Sequence, residues 1–211
     1  MKKLILYNGP NSPFGRKTKI TAIILEIPIE EKIIKIQEAE FIDNFNPLRK
    51  IPTLVIDDKQ TIMDSDNICL YFDKISNKET IYNSKNYWQV MSIISIANGL
   101  MESVLERKTE LIRPSNEQSK SFIKKQEVRI FRTIDWLEKN WSNFENNKVS
   151  MDQISVACAL EYTKFRFTES WINDCKNLNI WLEEFNKNRF MQLTIPKDCL
   201  LYTSPSPRDL R

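Results

Sequence analysis

Histidine is absent from this sequence of 211 residues, and glycine occurs only three times. Without histidine the chain cannot form a Ser-His catalytic triad, use a histidine general base or bind a metal through imidazole. No apolar run approaches the ~20 residues of a membrane-spanning helix, and the run from Leu4 to Tyr7 is too short for a signal peptide. We therefore expect a cytoplasmic protein that does not act at a membrane.

A strong excess of one charge is also absent, because 31 lysines and arginines stand against 28 aspartates and glutamates. This balance argues against a nucleic-acid partner and against a polybasic membrane-binding surface. The hydrophobic content of 41% is enough for a globular core. No CxxC pair occurs, so buried free thiols in a reducing compartment fit better than disulfides or a metal site for the four cysteines, Cys69, Cys158, Cys175 and Cys199.

The first third of the chain alternates between strand and helix patterns. Lys3 to Tyr7 is a predicted strand. Ser12-Pro13 begins a predicted helix that runs to about Glu26, because serine at the N-cap and proline at the first helical position are a favoured pair. Lys32 to Ile36 is a second predicted strand, and Glu38 to Phe45 is a predicted short or irregular helix.

A hairpin and a helix follow an Asn46-Pro47 turn. Thr53 to Ile56 and Thr61 to Met63 are the predicted strands of the hairpin, and Asp64-Ser65 opens the helix. The predicted order is therefore β-α-β-α-β-β-α, which is the order of thioredoxin-like domains.

Two features of this stretch have chemical meaning. A cis Ile51-Pro52 bond would turn the main chain of Ile51 outward, where its N–H and C=O could pair with a ligand peptide. Asp64-Ser65 offers a carboxylate, a hydroxyl and free helical N–H groups, which suit a ligand that carries both an ammonium and a carboxylate. The alternative is that Asp64 or Ser65 only caps the helix.

The remainder of the chain is predicted to be helical. We interpret the polar residues 77–85 as a linker between a thioredoxin-like domain at 1–76 and an all-helical domain at 86–198. Residues 199–211 resemble a translated sequencing adapter, so we expect an artefactual disordered tail; a genuine Ser/Pro-rich tail is the alternative. The predicted helices are about 86–108, about 116–141, 154–165 after a capping box at Ser150 to Gln153, and 178–189.

This arrangement resembles the cytosolic glutathione S-transferases over about residues 1–197. Ser12-Pro13-Phe14 with Arg16-Lys17 is similar to the active-site segment of bacterial, tau-like and omega-like members. Asn46 to Leu54 is similar to their cis-proline segment, and Asp64-Ser65 to the acidic-serine pair that binds the γ-glutamyl group. Ser150 to Phe167 is similar to the buried capping-box helix of their second domain.

Two positions depart from the pattern of the family. Arg49 stands where glycine is common, which would put a bulky cation near the ligand. Gln153 stands where aspartate is common in the capping box, and we expect a modest effect on stability because Gln153 can still receive the Ser150 cap.

The resemblance implies a glutathione transferase that conjugates glutathione, its co-substrate, to a small apolar electrophile without a metal. A cytoplasmic homodimer is expected by the same resemblance. The main chain of Ile51 would pair with the cysteinyl part of glutathione, Asp64 would meet the γ-glutamyl ammonium and Ser65 its carboxylate. The implied glutathione-binding residues are Phe14, Lys50, Ile51, Pro52, Asp64 and Ser65, with Arg16 as a further possible carboxylate partner. For Lys50 and Arg16, solvated surface charges are the favoured interpretation.

Ser12 is the implied catalytic residue. The thiolate of glutathione is the nucleophile, and a free thiol titrates at about 8.5. A charge-assisted hydrogen bond from the Ser12 hydroxyl supplies ~1.5–3 kcal/mol, and the helix N-terminus adds ~0.3–1 kcal/mol. Together these lower the thiol pKa by ~2 units without a general base. The alternatives are that Ser12 is a plain N-cap and that Tyr7 activates the thiol.

The electrophile pocket is expected between Pro10 to Phe14 and the first helix of the second domain, near Asn98, Met101 and Arg107. Two other functions stay open. A non-enzymatic interaction module could use the same fold, but it would need none of Ser12, Ile51-Pro52 and Asp64-Ser65. A glutathione-dependent isomerase or ether-cleaving enzyme would share the glutathione half-site.

Overall fold

The structure is a computed structural model that describes residues 2–82, 85–144, 148–167 and 174–196. Contacts within the chain divide it into two units. One unit contains the residues up to Lys78 together with those from Arg189 onward, and the other contains Glu79–Asn188. The predicted tail at 199–211, with Cys199, lies outside the described residues.

The amino-terminal unit is built on a four-stranded sheet. Its elements are β1 (Leu4–Asn8), α1 (Pro13–Ile24), β2 (Glu30–Ile33), β3 (Thr53–Ile56), β4 (Gln60–Met63) and α2 (Ser65–Ile75). The strand order is β2-β1-β3-β4, with β2 parallel to β1 and with β3 antiparallel to both β1 and β4. Two 3-10 turns, Ile36–Glu38 and Glu40–Asn44, stand where a short or irregular helix was predicted. The predicted thioredoxin-like order is therefore confirmed.

Strand β2 begins and ends earlier than predicted. The sequence pattern favours Lys32 to Ile36, whereas the strand is Glu30–Ile33. Strand β2 lies at the edge of the sheet and pairs with β1. The length of β2 is therefore set by this pairing and not by the pattern of its apolar residues. Beyond it, Ile34 and Ile36 pack against a buried cluster on the sheet.

That cluster includes Tyr7, the alternative thiol activator. The Tyr7 ring is buried and lies 5.4 Å from the Phe41 ring and 5.8 Å from the Phe45 ring, between centroids. Ile5, Ala39, Ile42 and Val55 complete the cluster on this face of the sheet. Tyr7 is thus a core residue.

The second unit is helical. Its helices are α3 (Tyr87–Leu111), α4 (Lys120–Lys139), α5 (Met151–Arg166) and α6 (Lys176–Phe185). Every residue from Met151 to Leu160 is buried, which agrees with the buried capping-box helix that the resemblance implies. The last predicted helix, Leu178 to Arg189, is instead α6 followed by the separate α7 (Arg189–Gln192), and α7 groups with the amino-terminal unit.

The capping box at the start of α5 is present with both of its reciprocal bonds. The Ser150 N–H donates to Gln153 Oε1 at 3.0 Å, as in a standard box. The adjacent Asp152 carboxylate accepts the Gln153 N–H at 3.0 Å and the Ser150 hydroxyl. Burial is the main cause that raises the pKa of Asp152.

Two further findings concern the cysteines and membrane association. Cys69, Cys158 and Cys175 are buried free thiols, as predicted. None of the helices in the described part of the chain combines the length and the apolarity that crossing a membrane requires.

Candidate functional site

Three segments that the sequence singled out lie at the same edge of the sheet. Tyr7 of β1 pairs with Thr53 of β3, and Thr53 pairs with Met63 of β4. The loop that carries Ser12 follows β1, Ile51-Pro52 precedes β3, and Asp64-Ser65 follows β4. Since neighbouring strands are ~4.8 Å apart, the row of three segments spans roughly 10 Å.

Ser12 is the N-cap of α1. Its backbone is extended, and its Oγ accepts the N–H of Gly15 at 3.1 Å. A serine hydroxyl can also donate one hydrogen bond, and the Ser12 hydroxyl has no acceptor for its proton among the described residues. Ser12 therefore caps the helix and still has a donor for a ligand.

The Ile51-Pro52 peptide bond is cis. Pro52 is buried and leads into β3, whereas Ile51 lies outside the ladder. Within the described residues, neither the N–H nor the C=O of Ile51 forms a hydrogen bond. One donor and one acceptor of the main chain are thus available next to the Ser12 loop.

Gly9 brings Ile51 and Ser12 close together. A Cβ placed on Gly9 would lie 2.4 Å from Ile51 Cδ1 and 3.8 Å from Ser12 Cβ. The two side chains therefore flank the same glycine, and a side chain at position 9 would displace that of Ile51.

Asp64 and Ser65 begin α2. Asp64 is exposed and has a φ of 73°, and its Oδ1 accepts the Asp66 N–H at 2.8 Å. Ser65 is buried, and its hydroxyl has no hydrogen-bond partner among the described residues. Asp64 thus caps the helix with one oxygen, while its second oxygen and the Ser65 hydroxyl remain for a ligand.

Two other residues predicted for this site lie beside these segments. Lys50 is exposed, and its ammonium pairs with no carboxylate in the described part of the chain. Phe14 is half-buried in the first turn of α1. Lys50 is therefore a cation next to the free main chain of Ile51.

Arg16 was expected to be either a carboxylate partner or a solvated surface charge, and the surface interpretation is wrong. Its side chain is buried. Its Nε donates to Thr194 Oγ1 at 3.2 Å, and a terminal nitrogen donates to the Met191 carbonyl at 3.2 Å. Arg16 therefore fastens α7 to α1.

Arg49 replaces glycine at a position with a φ of 46°, a conformation that glycine adopts more easily. Its exposed guanidinium turns to Asp43, with Nε 2.7 Å from Oδ1. The hydrogen bond from Arg49 is the main cause that lowers the pKa of Asp43. The side chain of Arg49 is thus held on the surface by Asp43.

Lys17 is a structural residue whose importance the sequence did not reveal. Its side chain is fully buried, and its ammonium forms an ion pair with Asp66 in the first turn of α2. This pair joins α1, which begins at Ser12, to the turn that contains Ser65. A buried charge needs a partner, and Asp66 supplies the opposite charge for Lys17.

The four residues predicted for the electrophile pocket lie in different surroundings. Pro10 is exposed and Asn98 is half-buried, whereas Met101 is fully buried. Arg107 donates to Glu127 Oε1 at 3.0 Å, and its guanidinium lies 3.9 Å from the Phe167 ring centroid. Their role with an electrophile stays a prediction.

The described residues contain no group of three or more Cys, Asp and Glu side chains that could hold a metal ion. The donors and acceptors at the sheet edge are instead a hydroxyl pair, a main-chain pair, a carboxylate and an ammonium. Such a set suits a short peptide with charged ends.

Known proteins give an independent comparison. Residues 11–75 match the family described as glutathione S-transferase, N-terminal domain. The uncharacterised GST-like protein YibF of Escherichia coli K12 is 28% identical over 201 residues, which cover 91% of this chain and 98% of YibF.

Solved structures of similar proteins extend the likeness over nearly the whole chain. A glutathione transferase family member of Pseudomonas fluorescens Pf-5, solved with bound glutathione, is 25% identical with a TM-score of 0.85, over 92% of this chain and 99% of that one. A glutathione S-transferase of Methylobacillus flagellatus, solved with glutathione bound, is 23% identical with a TM-score of 0.87, over 92% of this chain and all of that one.

Proposed function

We propose that this chain is a member of the glutathione S-transferase family that binds glutathione at the sheet edge and conjugates its thiol to a small apolar electrophile. Ser12 would stabilise the thiolate, and Ile51, Asp64 and Ser65 would hold the peptide. By the same membership we propose that the protein is a cytoplasmic homodimer. Analytical ultracentrifugation would measure the mass of the assembly.

The size of the sheet edge supports a tripeptide ligand. Three extended residues span roughly 10 Å, which is also the distance across β1, β3 and β4. The cysteinyl part would pair with the N–H and C=O of Ile51 in the manner of an added strand. The two ends of the tripeptide would then lie near Asp64-Ser65 and Lys50. The Asp64 carboxylate would complement an ammonium of the ligand, and the Lys50 ammonium a carboxylate. The relatives solved with bound glutathione support the same ligand.

The observation that carries the reaction is the hydrogen bonding of Ser12. Its cap bond to Gly15 uses an acceptor site of the hydroxyl and leaves the proton, which can be donated to a thiolate. A hydrogen bond to a charged group supplies ~1.5–3 kcal/mol, equivalent to ~1–2 units of thiol pKa. No general base is required, and the sequence contains no histidine to act as one.

The first experiment is calorimetry of glutathione binding to the wild type and to Asp64→Asn. Asparagine keeps the shape, tolerates the positive φ and can still accept the Asp66 N–H, so helix α2 keeps its cap. Loss of the charge alone should weaken binding by about tenfold, because a hydrogen bond to a charged group is replaced by a neutral one.

Asp58→Asn is the matched control. Asp58 is also exposed and has a φ of 55°, but it lies in the turn at the opposite end of the β3–β4 hairpin. The Asp58→Asn variant should bind glutathione as the wild type does. A folded wild type that shows no binding at millimolar glutathione would refute the transferase function, and equal weakening by both variants would refute the role of Asp64.

A further inference from the structure

Asn8, the last residue of β1, holds the turn that leads to Ser12. Its side chain is buried. Asn8 Oδ1 accepts the N–H of Gly9 at 2.8 Å, and Nδ2 donates to Glu31 Oε1 at 2.9 Å. The Asn8 main-chain carbonyl also accepts the Ile34 N–H at 2.8 Å, so both ends of the residue are fixed.

The carboxamide of Asn8 occupies the space above Gly15 in the first turn of α1. A Cβ on Gly15 would lie 1.5 Å from Asn8 Oδ1 and 2.7 Å from Nδ2. Glycine at this helical position therefore has a steric reason, although glycine weakens a helix relative to alanine. Asn8 and Gly15 are a complementary pair.

This pair connects directly to the thiol site. The N–H of Gly9 donates to Asn8 Oδ1, and the Gly9 carbonyl accepts the Ser12 N–H at 3.4 Å. Gly9 also lies against Ile51 Cδ1. Gly15 in turn donates its N–H to Ser12 Oγ. The carboxamide of Asn8 thus lies between the two glycines that determine where the Ser12 hydroxyl points.

We propose that Asn8 is a positioning residue for thiolate stabilisation, because its carboxamide over Gly15 fixes the Gly9 to Ser12 turn and so aims the Ser12 hydroxyl. This inference rests on the proposed function. It assigns no contact between Asn8 and glutathione. The expected effect is therefore on the ionisation of the bound thiol and much less on the affinity for glutathione.

The experiment measures the pKa of the bound thiol from the ultraviolet absorbance of the thiolate, together with the pH profile of conjugation. Asn8→Ala should raise the thiol pKa in the same direction as Ser12→Ala but by less. Well below the pKa, the thiolate fraction and the rate should fall by about threefold to tenfold, equivalent to about half to one pKa unit. At alkaline pH the rate should approach that of the wild type.

Gly15→Ala and the double variant Asn8→Ala/Gly15→Ala separate positioning from packing. Gly15→Ala should destabilise the protein and raise the thiol pKa, because the new Cβ displaces the carboxamide. The double variant should regain stability, since the clash is gone, but it should keep the raised pKa. Thr21→Val, which removes buried hydroxyl contacts elsewhere in α1, is the control for general destabilisation and should leave the thiol pKa unchanged.

The outcomes distinguish the two proposals. A wild type that binds glutathione and needs Ser12, together with an Asn8→Ala variant of unchanged thiol pKa, would refute the positioning role alone. A double variant whose thiol pKa returns to the wild-type value would also refute it, because packing would then be sufficient. A wild type that binds no glutathione would overturn both.

Discussion

Replacing Ser12 tests two functions of one hydroxyl. The structure gives Ser12 a cap bond with the Gly15 N–H, and the proposed mechanism gives it a hydrogen bond to the thiolate. Loss of the cap costs ~1 kcal/mol of unfolding free energy. Loss of the second bond costs ~1.5–3 kcal/mol of preference for the anion, which raises the thiol pKa by ~1–2 units.

These magnitudes predict the rates. With a bound thiol pKa ~2 units below 8.5, roughly three quarters of the thiol is ionised at pH 7, whereas a few per cent is ionised without the shift. A rise of ~1–2 units in the thiol pKa should therefore make Ser12→Ala lower the conjugation rate at pH 7 by roughly threefold to 25-fold, and the loss should diminish as the pH rises towards 9. The greater nucleophilicity of a thiolate with a higher pKa offsets part of the loss.

Two further substitutions at position 12 separate the roles. Ser12→Asp keeps a good N-cap but has no hydroxyl proton, so it should retain stability and lose thiolate stabilisation. Ser12→Thr keeps both groups and should retain both properties. The assay combines thiolate absorbance against pH with urea unfolding. If Ser12→Asp ionises bound glutathione as the wild type does, the hydroxyl is not the donor and the reasoning fails.

Two predictions concern stability. Gly99→Ala should increase the free energy of unfolding by ~0.5–1 kcal/mol in urea denaturation, because a Cβ at this position in the middle of α3 meets no atom within 4 Å. A lower urea midpoint than that of the wild type would contradict this prediction. Burial raises the pKa of Asp152, so the folded state holds this proton to a higher pH than the unfolded state. The free energy of unfolding of the wild type relative to Asp152→Asn should therefore fall as the pH rises above about 4, and a constant or increasing difference would contradict it.

Local chemistry explains which parts of the site were predictable from the sequence. Ser12-Pro13 and Asp64-Ser65 start helices because serine, aspartate and an early proline favour those positions whatever surrounds them. The hairpin of β3 and β4 follows from its β-branched residues and polar turn. The three segments were therefore predicted, and the register of the sheet brings them to one edge.

Contacts between distant residues explain what the sequence could not reveal. Arg16 and Lys17 look like a surface pair of cations, but both side chains are buried. The sequence does not reveal this, because their hydrogen-bond partners lie 178 and 49 residues away. Gly15 looks like a weakness in a helix, and its reason is a side chain seven positions earlier that folds over it. Hydrophobic periodicity carries no information about such partners.

The hydrogen bonds of Arg16 also have a consequence for the order in which contacts form during protein synthesis. Met191 and Thr194 are synthesised 175 and 178 residues after Arg16, so the guanidinium of Arg16 can find these partners only after that length of chain has been made. The helices between Glu79 and Asn188 contact one another, and all of them have been synthesised before Met191 and Thr194. Although domains commonly fold in the order of their synthesis, α1 receives these contacts only after the helices between Glu79 and Asn188 have been synthesised.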